Sequence, residues 1–214
     1  MPNTYLPISI SLKDRPVLVV GGGEVALRKI DTLLDYNCAI TVVAPEATRK
    51  IEYYAKKGDL KLEKRQYRSP EAADYGIVIS AGSDADVNAT VAADAGKAGV
   101  PVNVADSPKL CDFIFPAVVR RDCLTIAVST DGLAPFLSGQ LRSILDGVFP
   151  DRWKKIARLA ASFRRKVRDR WKDDKARKTE CFNRFFSADW ETMIKTMSEK
   201  EIDEALAGMV EGKM

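Results

Sequence analysis

Four apolar residues, Val17–Val20, run directly into three glycines and then into "EVALRKIDTLL". No other stretch constrains the fold as tightly. β-branched side chains without polar alternation suit a strand covered on both faces, which requires helices around it. Val25, Ala26, Ile30, Leu33 and Leu34 recur at roughly helical spacing straight after the glycines. The chain is therefore expected to turn from a buried strand into an amphipathic helix with almost no loop.

The glycines fit Gly21-x-Gly23-x-x-Ala26. Gly21 permits the tight turn, Gly23 lets a pyrophosphate approach the backbone, and Ala26 lets the helix pack close to the strand. The first N–H groups of that helix would face the phosphates. A plain turn would use the same glycines, but a strand before and a helix after favour a dinucleotide site. An acidic residue is expected about 20 residues on, at the end of the second strand. That strand, "AITVVAPE", ends in Ala44 and Pro45, with Glu46 one step later. Either Glu46 or backbone groups are left to hold the ribose, and the position selects neither NAD nor NADP.

Up to about residue 115 the chain alternates: "PVLVV", "AITVVA", "LKLEKRQ", "YGIVISA" and "VPVNVAD" are strand candidates, with helices beginning near Glu24, Thr48, Ser69 and Asp86. This alternation predicts a Rossmann-like, doubly wound parallel α/β sheet over residues 1–115. Ligands on such sheets sit outside the carboxyl ends of the strands. One crevice is expected to gather Gly21, Gly22, Gly23, Glu24 and Val25, Pro45 and Glu46, Ala81 to Asp84, and Asp106.

Composition narrows the chemistry. The 214 residues include no histidine, which excludes a His general base, a Ser-His-Asp triad and any histidine-containing metal site. Acid–base work falls to carboxylates, Lys, Tyr or Cys. Cys38, Cys111, Cys123 and Cys181 form no C-x-x-C pair and are expected to be buried, reduced thiols. No apolar run reaches the length of a membrane span, and the first residues lack the pattern of a secretory signal, so a soluble cytoplasmic protein is expected.

After residue 115 the pattern changes. "PAVVRR" and "CLTIAVS" lie too close for a helical crossover and predict a hairpin, followed by turn residues Thr130-Asp131-Gly132. Pro135 then opens a helix bearing Phe136, Leu137, Leu141, Ile144 and Leu145. This ββα unit, residues 116–150, is expected to offer a surface to a second subunit. The Pro150-Asp151 join marks a basic helical domain over 151–214. Trp153, Ile156, Ala157, Ala160, Phe163, Val167 and Trp171 form its apolar stripe, and residues 151–178 hold thirteen Lys or Arg against four Asp. Such a run is either a solvated helix face or a surface that attracts a polyanion.

Three stretches in succession, "LPISISLKDRPVLVVGGGEVALRKIDTLL", "PVNVADSPKLCDFIFPAVVRRDCLTIAVSTDGLAP" and "FNRFF", resemble precorrin-2 dehydrogenase, the family also found as the N-terminal module of siroheme synthase. The resemblance implies NAD-dependent oxidation of precorrin-2 to sirohydrochlorin on the route to siroheme, by a homodimer formed through about residues 116–150. Some members also insert iron. It implies cofactor contacts at Gly21, Gly22, Gly23, Glu24, Val25, Pro45, Glu46 and Ala81. It also places the family's important aspartate at Asp106, a candidate proton acceptor where histidine is lacking. Ser129 and Thr130 match a hydroxyl pair that would hold substrate carboxylates, although turn and capping roles suit them equally. Two positions depart from the family: Ala134 stands where a hydroxyl often precedes the proline, and Asp131 where glycine is common. A dimeric NAD sensor that binds DNA through the basic helix is the alternative. No separate helix-turn-helix unit is present in the sequence, so neither nucleic acid nor membrane is expected as a partner.

Overall fold

The structure, a computed structural model, describes residues 5–212. The chain forms two compact units that meet between Phe115 and Pro116. The first contains strands β1 (Val17–Val20), β2 (Ile40–Val43), β3 (Lys61–Glu63), β4 (Ile77–Ser80) and β5 (Val102–Val104), with helices α1 (Glu24–Leu34), α2 (Arg49–Lys57) and α3 (Ala85–Ala98). All five strands are parallel, in the order β3-β2-β1-β4-β5, with Val17 level with both Ile40 and Ile77. The winding reverses between β1 and β4, which makes that junction the topological switch point.

The period of two along β1 divides its side chains between two cores. Val17 and Val19 pack with Ala26, Ile30 and Leu33 of α1, while Leu18 and Val20 pack with Val91 and Ala95 of α3. All four β1 residues are buried, each burial worth about 1.5–3 kcal/mol. Thr48 caps α2 by accepting from the Ile51 N–H, and Asp84 caps α3 by accepting from the Asp86 and Val87 N–H groups.

One expected element differs. The helix predicted near Ser69 is only a 3-10 turn, Glu71–Asp74. Pro70 disfavours helical backbone at Ser69, and side chains organise the connection in place of a helix. The Arg65 guanidinium bonds Glu63 and both oxygens of Glu71, and the Tyr67 hydroxyl donates to Asp94 at 2.8 Å while accepting from the Ala72 N–H.

The second unit opens with the antiparallel pair β6 (Ala117–Arg121) and β7 (Leu124–Val128), turned at Asp122 with φ 59°. Helices α4 (Pro135–Val148), α5 (Trp153–Arg170), α6 (Lys175–Ser187), α7 (Trp190–Thr196) and α8 (Glu199–Glu211) follow. Ile156, Phe163 and Val167 of the predicted stripe meet Cys181, Trp190, Ile202, Leu206 and Met209 in one core. The Arg170 and Arg177 guanidiniums both lie over the Trp171 ring, 4.1 and 4.3 Å from its centre. Part of the basic run is neutralised locally, by Arg158–Asp122, Lys166–Asp203 and Arg170–Glu211 pairs.

α4 buries none of its residues: Phe136 is 81 % exposed, Ile144 55 % and Val148 56 %. The cysteines correct the expectation of buried thiols. All four are free, but only Cys181 is buried; Cys123 is exposed at the hairpin turn, and Cys38 and Cys111 are half-buried. Among the described residues no helix is long and apolar enough to cross a membrane.

Candidate functional site

At the switch point the glycine turn is pressed against the loop that follows β4. Gly21 has φ 120°, and a Cβ there would lie 2.6 Å from the Ala81 carbonyl. That loop is pinned from within: the buried Ser80 hydroxyl donates to Asn88 Oδ1 at 2.6 Å, and Asn88 Nδ2 donates to the Gly82 carbonyl at 3.0 Å. Gly22 carries a second contact. A Cβ on it would sit 2.0 Å from the Glu46 carbonyl, and its own carbonyl accepts from the Thr48 N–H at 2.9 Å. The turn is thereby tied to the Pro45–Glu46 loop after β2, where both residues are exposed.

Gly23 differs from its two neighbours. It is the N-cap of α1, exposed, with no side-chain cap, and a Cβ on it would meet nothing within 4 Å. The opening N–H groups of α1 have no acceptor of their own within the helix. Glu24 is exposed and Val25 half-buried beside them. An uncapped helix start behind open space, at a sheet's switch point, fits a dinucleotide's pyrophosphate. Gly23 is the position at which the sequence pattern calls for room beside the backbone, and that room is present. The sequence pattern offered no signal for the contact that Gly22 makes with Glu46, nor for Ser80 and Asn88, which fix the loop carrying Ala81.

Asp106 stands two residues beyond β5, exposed, in a left-handed turn with φ 60°. The Ala105 N–H donates to the Ser80 carbonyl at 2.8 Å, which holds this turn against the end of β4. The carboxylate thus belongs to the carboxyl edge of the sheet, as expected. On α1, Lys29 is half-buried, with Nζ 4.0 Å from the centre of the Phe115 ring. Burial pulls the Lys29 pKa down and neighbouring Arg28 adds to this, while Cys111 and Asp106 pull it up. Nothing in the sequence distinguished Lys29 from other lysines.

Ser129 and Thr130 lie in the second unit, after β7. There Ser129 Oγ accepts from the Asp131 N–H and Thr130 Oγ1 from the Ala134 N–H, both at 3.1 Å. Asp131 has φ 52°, the conformation that glycine adopts most readily.

Comparisons with known proteins agree with this geometry. Residues 8–117 match a family model described as "Putative NAD(P)-binding". A siroheme synthase of Methylococcus capsulatus is 44% identical over 174 residues, 81% of this chain and 37% of that protein. One of Pseudomonas aeruginosa (strain UCBPP-PA14) is 37% identical over 207 residues, 95% of this chain and 44% of that protein. The chain thus spans less than half the length of these curated relatives. Among solved structures, SirC, a precorrin-2 dehydrogenase, superposes with a TM-score of 0.74 at 25% identity, covering 97% of this chain and all of that one. Matched over residues 8–117, and similar in fold and sequence to SirC and the siroheme synthases, the chain belongs to the family described as "Putative NAD(P)-binding".

Proposed function

We propose that the chain oxidises precorrin-2 to sirohydrochlorin, with NAD+ as the acceptor, in the cytoplasm and on the route to siroheme. The observation that carries this reading is the open, uncapped start of α1 at the switch point, with an acidic side chain on the same edge of the sheet. Bound there, NAD+ supplies a hydride acceptor.

The chain's own residues have three tasks. Gly21 and Gly22 shape the turn, and Gly23 leaves room for the pyrophosphate against the first N–H groups of α1. Pro45, Glu46 and Ala81 border the cofactor, with Glu46 or its backbone near the ribose. Asp106 receives the proton that the macrocycle releases as the hydride departs, so that the substrate loses one hydride to the acceptor and one proton to the carboxylate. Ser129 and Thr130 hold substrate carboxylates through hydroxyl protons that their turn bonds leave free. The cationic faces of α5 and α6 draw the polycarboxylate substrate toward the protein.

The proposed assembly is a homodimer. Phe136, Leu137, Leu141, Ile144 and Val148 present a helical apolar face to solvent, and a second copy of the same face would remove it from water.

Anaerobic incubation with precorrin-2 and NAD+ tests the reading: NADH absorption and the sirohydrochlorin spectrum should rise together. Asp106→Asn should lower kcat by about 100-fold or more while leaving NAD+ affinity unchanged. Asn tolerates the left-handed turn, so the backbone should stay in place. Near-normal turnover would remove Asp106 from the chemistry.

A further inference from the structure

We infer that Lys29 is the anchor for one carboxylate arm of the substrate. The inference rests on the dehydrogenase reading and adds to it a specific contact. Four other lysines of the first unit have acidic partners: Lys50 pairs with Asp31, Lys57 with Asp59, Lys61 with Glu63 and Lys64 with Glu52. All four are well exposed. Lys29 is the reverse case. It is half-buried, and among the described residues no carboxylate lies within ion-pair distance of its ammonium. Removing an ammonium from water without a partner is unfavourable. The Phe115 ring, itself braced by Phe113 at 5.5 Å, offsets only part of this cost. A cation held in place, partly dehydrated and lacking its anion is prepared to receive one.

Position decides which anion. Lys29 lies five residues into α1, about 7 Å along the helix from the N–H groups that suit the pyrophosphate. It belongs instead to the corner formed with the segment after β5, where Asp106 and Cys111 act on it through space. A macrocycle whose reacting carbon faces Asp106 must cover this corner, and the substrate class carries carboxylate arms around its rim. Lys29 therefore fixes the rotation of the ring relative to Asp106. Asp106 is too exposed and too remote from an ion pair to be the anion for which Lys29 is held.

Lys29→Met keeps the buried stem and removes the charge, whereas Lys29→Arg keeps the charge. For Lys29→Met we expect the KM for precorrin-2 to rise about tenfold or more, kcat to stay within about threefold, and NAD+ affinity to be unchanged. Binding of uroporphyrin, a stable polycarboxylate probe followed by its fluorescence, should weaken by about the same factor. Lys29→Arg should recover most of both. An unchanged KM and unchanged probe affinity in Lys29→Met would overturn the assignment. A loss of NAD+ affinity would also overturn it, by moving Lys29 to the cofactor. If the wild-type chain does not oxidise precorrin-2, the dehydrogenase reading fails, and the probe titration still decides whether Lys29 binds a carboxylate. Should Lys29→Met be insoluble, Lys29→Gln replaces it in the same titrations.

Discussion

Ser80 and Asn88 share a 2.6 Å hydrogen bond inside the first unit, and through Asn88 the end of β4 dictates where the Gly82 carbonyl stands. Because Gly21 abuts Ala81 and Gly82, this buried pair sets the wall of the cofactor turn from behind. Asn88→Leu would leave the Ser80 hydroxyl buried without a partner. The expected cost is about 1–3 kcal/mol in urea unfolding. NAD+ affinity should fall as well, while Ser80→Ala/Asn88→Leu should regain part of the stability. Equal affinities in wild type and Asn88→Leu would show that the wall is held by other contacts.

The three adjacent glycines should respond differently to alanine. Gly22→Ala meets the Glu46 carbonyl and backbone of Ala47, so soluble yield and Tm should both drop sharply. Gly21→Ala adds a left-handed strain to a backbone clash and should behave similarly. Gly23→Ala has free space and an ordinary φ of −84°, so it should fold with a loss of about 1 kcal/mol or less. Its defect should appear in NAD+ titration calorimetry, because the added methyl occupies the room proposed for the pyrophosphate.

Acid stability should depend on the cluster that replaces the missing crossover helix. Burial alone would push the Glu71 carboxyl up, but the bonded Arg65 guanidinium and the Arg68 N–H hold it below its ordinary value of 4.5. A folded pKa below the unfolded one adds stability above about pH 4.5, lost as the pH falls through the folded pKa. Glu71→Gln should therefore be less stable than wild type by about 1 kcal/mol at pH 7. The two unfolding curves should converge as the pH falls through that lowered folded-state pKa. A constant difference across that range would separate the stability from the carboxylate's charge.

Ile144→Glu, on the exposed side of α4, should leave the Tm of dilute protein nearly unchanged, because no local packing is lost. In sedimentation velocity it should shift the proposed dimer to monomer. A variant that remains dimeric would place the contact between copies elsewhere.

How much of the molecule is legible in the chain depends on whether the signal is local. β1 and α1 are readable because Val17–Val20 and the Ala26, Ile30 and Leu33 spacing encode burial directly. Gly21 and Gly23 follow from the same turn, and Asp106 from the rule that places ligands at strand ends together with the family resemblance. The connection after β3 reads wrongly as a helix because Tyr67 and Arg65 find partners at Asp94 and Glu71, which depend on the folded arrangement. For the same reason the contacts of Gly22, Asn88 and Lys29 carry no sequence signature. Each owes its role to a neighbour from another strand or loop: Glu46, Ser80 and Phe115, respectively.

The bare flank of α4 has a practical consequence for anyone handling the protein. In the proposed dimer, subunits whose α4 stays wet until they meet a copy would pair to an extent set by concentration. The paired fraction should then fall on dilution and return on reconcentration, so the working concentration decides which species a preparation contains.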